Sequence, residues 1–289
     1  MMQSQAIADE GRRMNPSGFV LHPSSLILHP SMIFLGTQGW SYKSWEGVFY
    51  PQGTPSNRYL ADYATKFKAI EIDSSFYSTP RLSNIEKWDN DTPADFRFAA
   101  KFPKQITHEK MLDDVARETA FFLDTLSKFG AKLGPLCLQF AYEFSPDKRD
   151  LLDEYLASLP SRSPTDEPLR YAVEVRHRGW FKDWFFELLK KHRAALVLVD
   201  RVTMPKLDIA TTDFTYIRWL GNRKDVPDDA YTHVRIHRDK ELDEWADTIA
   251  ELHERDVDVW AFANNHYMGH SPATLREIQA RLKERGVIE

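Results

Sequence analysis

Cysteine is nearly absent from this chain: Cys137 is the only one among 289 residues. A single thiol excludes an internal disulfide and fits a reducing compartment, so a cytoplasmic protein is expected. Cys137 lies between Leu136 and Leu138, which marks it as a buried core thiol rather than a nucleophile. No apolar run approaches the roughly 20 residues of a membrane-crossing helix, so no membrane partner is expected. Charge of one sign is also lacking. The formal net charge is −5, and the field of the whole molecule does not draw in nucleic acid, although a local basic groove remains compatible with it.

Several chemical signatures are missing as well. No G-x-G-x-x-G opens a helix, which removes the dinucleotide-binding version of an α/β fold. No G-x-S-x-G elbow and no Cys–His pair is present, which argues against covalent acyl transfer. His108, His177 and His266 precede or follow different strands, with Asp73, Glu174 and Asp200 as nearby carboxylates. A divalent metal could use such groups, but no H-x-x-x-H or H-E-x-x-H spacing supports one, and the metal ligands stay unknown.

What is present begins with an unusual leader. Leu21-His22-Pro23-Ser24 is echoed by Leu28-His29-Pro30-Ser31, and the prolines disfavour a helix. Residues 1–31 are expected to form a disordered tail, or to precede a true start at Met32. From 32 to 289 no linker or shift in composition divides the chain, so one domain is expected.

Within it, short apolar runs alternate with longer amphipathic ones. Strands are expected at Ile33–Thr37, Ala69–Asp73, Arg97–Lys101, Leu133–Phe140, Tyr171–Arg176, Ala195–Asp200, Phe214–Arg218 and Val257–Phe262, with helices between most of them. This pattern predicts an α/β fold, a TIM-type (β/α)8 barrel. The connection from Asp200 to Phe214 is too short for a full crossover helix, so one outer helix is expected to be reduced or missing.

Alternation along strands then sorts the side chains. Ile70 and Ile72 belong to the helix-facing side, which turns Glu71 and Asp73 inward. Val173 and Val175 do the same for Glu174 and Arg176, and Phe98 and Ala100 for Arg97 and Lys101. Buried charges on this scale must pair or line a wet pocket. Internal pairs such as Glu71 with Arg97, or Glu174 with Arg176, are one reading. Asp73, Lys101, Gln139, Arg176, Asp200, Arg218 and Asn264, however, all end or just follow an expected strand. Active sites of such barrels lie at that end.

The loops at the same end are aromatic. Gly36–Tyr50 carries Trp40, Tyr42, Trp45, Phe49 and Tyr50, and His177-Arg178-Gly179-Trp180 follows the fifth strand. Aromatics beside polar groups can plug the mouth or stack on a sugar or base.

The motifs G-T-Q-G-W-S-Y…W-E-G-V-F-Y-P, A-I-E-I-D-S-S-F-Y, F-P-K-Q-I-T-H, Y-A-V-E-V-R-H-R-G-W, Y-I-R-W-L-G and F-A-N-N-H-Y-M-G-H-S-P-A run in order through the chain. In these it resembles the YecE-like family, Domain of Unknown Function 72, from about Ile33 to Leu282. The resemblance implies a TIM barrel related to xylose-isomerase-like and endonuclease-type barrels. It implies no particular reaction. Many members carry histidine two residues after the arginine of the seventh-strand motif, where this chain has Leu220.

Taken together, these residues point to an enzyme acting on a small phosphorylated or polar sugar-like or nucleotide substrate. Glu71 or Glu174 is the candidate base and His108 or His177 the candidate acid. Lys101, Arg176 and Arg218 would hold an anion. Trp40, Tyr42, Asp73, Gln139, Asp200, Asn264 and Asn265 would complete the binding surface. The alternative is a nucleic-acid-binding protein without turnover, using a basic and aromatic rim. If Glu174 is a catalytic carboxylate in a wet pocket, Glu174→Gln should not lower stability.

Overall fold

Ala195–Asp200 reads A-L-V-L-V-D, apolar on both faces, as a strand buried between a barrel interior and a helix layer must be. It is one of eight such strands in the computed structural model, which describes residues 31–227 and 231–289. They are β1 (Ile33–Gln38), β2 (Ala69–Ile72), β3 (Arg97–Lys101), β4 (Leu133–Gln139), β5 (Tyr171–Glu174), β6 (Ala195–Asp200), β7 (Phe214–Trp219) and β8 (Asp258–Ala263). All neighbours are parallel, and β8 pairs back onto β1, closing the barrel. The expected leader at residues 1–31 lies outside the described residues except for Ser31, whose hydroxyl bonds to His253.

The helices are α1 (Tyr59–Ala64), α2 (Leu82–Asn90), α3 (Ala116–Ser127), α4 (Arg149–Ser158), α5 (Asp183–Lys191), α6 (Asp239–Glu254), α7 (Asn265–Met268) and α8 (Ser271–Glu284). Their ends follow local chemistry. In α5, Asp183 sits in the first turn and Lys190 and Lys191 in the last, each complementing the helix dipole. Pro272 opens α8, where its missing N–H leaves no bond unmade. No helix joins β6 to β7, as the short connection predicts. Among the described residues, no helix is long and apolar enough to cross a membrane.

The barrel interior is lopsided in volume. β2, β3, β5 and β6 contribute Ala69, Ala99, Ala172 and Ala195, and these pack with Phe34, Tyr216, Trp260 and Phe262 from β1, β7 and β8. Phe34 stacks on Trp260 with centroids 4.0 Å apart. A Cβ on Gly134 would come within 2.7 Å of the Trp260 ring, so glycine on β4 is what admits the indole. The lower barrel is thereby packed solid, and polar side chains are left to its upper end.

Candidate functional site at the barrel mouth

Register decides which buried charges meet. Ala69 pairs with Arg97 and Glu71 with Ala99, so Arg97 lies at the lower end of β3, two residues below the Glu71 level. Its guanidinium donates to the carbonyls of Ala94 and Phe96. The Glu71–Arg97 pair expected from alternation does not form. Glu71 is held by the other side of the barrel, accepting from the Tyr216 hydroxyl at 2.6 Å and from Arg218 at 2.9 Å.

Arg218 is the hub of the interior. One terminal nitrogen donates to Glu71 and to the Gln38 side-chain carbonyl at 3.2 Å, while the other donates to Glu174. Its Nε, also buried, has no partner among the described residues. The second oxygen of Glu174 accepts from Arg176 Nε at 2.6 Å, and Asn264 donates to Gln38 at 3.0 Å. The chain Tyr216–Glu71–Arg218–Glu174–Arg176 is therefore continuous. Burial alone would raise the Glu174 carboxyl, but the positive fields of Arg176 and Arg218 overcome it and leave it at about 2. Glu71 and Glu174 are thus bound acceptors beneath the mouth, a poor arrangement for the base proposed from sequence. Arg218, also enclosed, commits both terminal nitrogens to Gln38 and the two carboxylates. Gln38 and Tyr216, which complete this network, were legible from alternation in β1 and β7 but carry no charge to draw notice.

Above this layer the side chains open to solvent. Lys101 pairs with Asp73, in an inverted sense: the lysine side chain is 7% exposed and the aspartate 41%. Lysines ordinarily extend their ammonium outward; this one points inward, with its Nζ 4.9 Å above the Phe76 ring. Burial would raise the Asp73 carboxyl, but Lys101, with help from Arg218 and Arg223, holds it below its usual range. Arg176 is partly exposed, and its bond to Glu174 uses only Nε.

His108 sits on a single π-type turn, Gln105–Glu109, directly after β3. The segment beyond it is strained: Met111, Leu112 and Asp114 all have positive φ, of 47°, 74° and 46°. Such irregularities cluster at functional sites. The Thr107 hydroxyl reaches the Pro103 carbonyl at 3.4 Å and lies 2.9 Å from His108 Nδ1. On the other side of the ring, His108 Nε2 lies 3.5 Å from the Gln139 amide nitrogen. Burial and then the nearby Arg176 push the imidazole pKa down. Both effects favour the neutral form of His108.

His177 accepts from the Gly179 N–H through Nδ1 and packs against Tyr142, centroids 5.0 Å apart. Tyr77 and Tyr142, 66% and 63% exposed, stand after β2 and β4. Tyr42 closes the β1 side, its hydroxyl bonded to the Gln38 backbone carbonyl at 2.7 Å, and Trp40 packs edge-on against Trp88.

Three expected site residues are built into the structure instead. Asp200 faces the helix layer, accepting from Trp245 Nε1 and the Tyr267 hydroxyl at 2.7 Å each. Alternation already required this, since Val197 and Val199 are its inward neighbours. Asn264 caps α7 through the His266 N–H, and Asn265 accepts from both the backbone and the hydroxyl of Ser271. His266 bonds to the Val226 carbonyl, away from His108 and His177. Among the described residues no three His, Cys, Asp or Glu side chains are grouped to hold a metal ion. Leu220 packs on the interior apolar cluster.

Comparison with known proteins agrees with this architecture. Residues 34–288 match the family described as "Protein of unknown function DUF72". The UPF0759 protein YunF of Bacillus subtilis (strain 168) is 28% identical over 82% of this chain and 90% of its own length. The UPF0759 protein YecE of Escherichia coli (strain K12) is 33% identical over 52% of this chain; the match spans about half, 50%, of that relative. Among solved structures, a DUF72 family protein of Thermotoga maritima superposes with a TM-score of 0.73 at 25% identity, over 88% of this chain and 98% of its own. One from Enterococcus faecalis gives 0.68 at 19% identity, over 88% and 99%. Together the family match along nearly the whole barrel and these relatives make this chain a YecE-like member of the DUF72 family.

Proposed function

We propose that the chain is an enzyme that binds a small polar substrate with one anionic group, of sugar-phosphate, sugar-acid or nucleotide type, at the barrel mouth. The observation that carries this reading is the unequal state of two neighbouring layers. Beneath, both carboxylates are occupied by arginine; above, His108, its pKa lowered by burial and by Arg176, stands near the unbonded terminal nitrogens of Arg176 and the Asp73-paired ammonium of Lys101. In this reading Arg176 and Lys101 receive the anionic group, and His108 takes a proton from the substrate. Asp73, exposed and bonded to Lys101, orients the ammonium. Arg218 is a positioning residue, acting on Arg176 through Glu174.

Charge balance sets the ligand class. The cations Lys101, Arg176 and Arg218 are matched by Asp73, Glu71 and Glu174. A pocket so nearly neutral suits one phosphate or carboxylate better than a polyphosphate. The test is thermal unfolding and native mass spectrometry of the purified chain with inorganic phosphate, sugar monophosphates, sugar acids and nucleoside mono- and triphosphates. Stabilisation by monoanionic and monophosphate compounds, with turnover of one class lost in His108→Gln, is the expected result. A preference for triphosphates, or turnover that survives His108→Gln, overturns it.

A second reading rests on the exposed rim tyrosines, Tyr77 and Tyr142, which offer faces for bases beyond a single pocket. It requires salt-dependent affinity for oligonucleotides without product, reduced in Tyr77→Ser and Tyr142→Ser.

A further inference from the structure

Helix α3 presents one face to solvent. Its exposed residues form a single stripe, Ala116, Arg117, Ala120, Phe121 and Asp124, continued by Asp113 and Asp114 in the turn before it and Lys128 at its C-terminal cap. Phe121 is 62% exposed and is the one exposed phenylalanine among the described residues. An apolar groove of about 740 Å³ lies alongside, walled by Ala116, Ala120 and Leu123 of α3, Leu151 and Tyr155 of α4, and Pro160. A protruding aromatic and an apolar groove on the same helix are the ingredients of a self-complementary contact.

The order of charges identifies the occupant. Along the stripe the sequence of groups is Asp113 (acidic), Arg117 (basic), Ala120, Phe121, Asp124 (acidic), Lys128 (basic). Read against its own reverse, its charges Asp113, Arg117, Asp124 and Lys128 complement one another. With a two-fold axis between Ala120 and Phe121, Arg117 meets the second copy's Asp124 and Asp113 meets the second copy's Lys128. Each Phe121 ring then lies on the opposing Ala120, at the edge of the groove. Glu118, which would upset this order, is turned aside to Lys110 at 2.8 Å. Within one copy, Lys128 reaches Asp124 at 3.2 Å, both well exposed, so the intrachain pair is weak and free to be exchanged.

We infer that this face of α3, with the α3–α4 groove, is an interface between two copies of the chain related by a two-fold axis, α3 antiparallel to α3. One helix pair buries less than the roughly 800 Å² per partner of a stable interface; the groove walls add to it, and the dimer is of the reversible, concentration-dependent kind. The barrel mouths stay open, because the contact involves only the outer helix layer.

Sedimentation equilibrium of the full chain over a wide concentration range tests this. The average mass should rise from monomer toward dimer, and Phe121→Ser should weaken association at least tenfold. Arg117→Glu and Asp124→Arg should each weaken it, and the two combined should restore it, since every reversed charge again meets its opposite. All three positions are exposed, so unfolding temperatures should match the parent's, which confirms that the variants fold. A chain that stays monomeric throughout overturns the inference. So does a dimer indifferent to Phe121→Ser, and so does a double variant no better than the single ones.

Discussion

Arg218 on β7 reaches past β6 to Glu174 on β5, a strand with which β7 shares no backbone hydrogen bond. The two meet across β6, which pairs with both strands, and closure of the sheet lets the same guanidinium hold Glu71 of β2. This pairing determines how the mouth is charged, and the predictions below test its consequences.

Glu174→Gln preserves shape but leaves two arginines each short of a charged acceptor. Breaking a buried pair from one side costs about 3–5 kcal/mol, so the variant should unfold at clearly lower denaturant concentration. That reverses the expectation of unchanged stability drawn from a wet-pocket reading, because the carboxylate proves to be enclosed and doubly bonded. Its folded-state value of about 2 lies below the ordinary 4.5, so its contribution is complete above about pH 4.5 and is lost as pH falls toward 2. Stability of Glu174→Gln should lose that part of its acid dependence.

Arg176 and Lys101 should behave alike toward ligand and differently toward stability. Arg176→Ala and Lys101→Met should each abolish stabilisation by phosphate, a loss of tenfold or more in affinity, since a hydrogen bond to a charged group contributes about 1.5–3 kcal/mol. Lys101→Met should unfold at a temperature close to the parent's, because its Asp73 partner is exposed and rehydrates in place. Equilibrium titration together with unfolding curves separates the two effects.

His108 should set an acidic limb in the pH dependence of turnover. Its pKa is pushed below 6.5 by burial and Arg176, so activity should fall on acidification only below the ordinary histidine range. Arg176→Gln should move the limb toward higher pH. A limb at or above pH 6.5 that ignores Arg176 would assign it to another group.

His270 supplies an independent stability test. Burial lowers it from 6.5 to about 4, and its Nδ1 bonds the Tyr231 carbonyl at 2.8 Å. With its folded value depressed, the neutral ring stabilises the fold above about pH 6.5, and this contribution declines as pH falls toward 4. His270→Asn keeps a donor without titrating, so its unfolding temperature should vary less than the parent's across that interval.

The fold and much of the inward-facing inventory were legible along the chain, because strand alternation is a local property. Val173 and Val175 on the helix side oblige Glu174 and Arg176 to face inward, and a short β6–β7 connection cannot hold a helix. The same rule would have placed Asp200 outward had strand-end position not been given more weight. What the sequence could not specify is partner choice. Glu71 had arginines at 97 and 218 available; the register of β2 on β3 carries Arg97 below it, and barrel closure brings Arg218 across from the far side. The lowered pKa of His108 is decided the same way, by its burial and by Arg176 from the loop after β5. Composition and spacing determine which groups are buried; only the closed sheet decides which of them touch, since a Coulomb interaction depends on distance in space and not on separation along the chain.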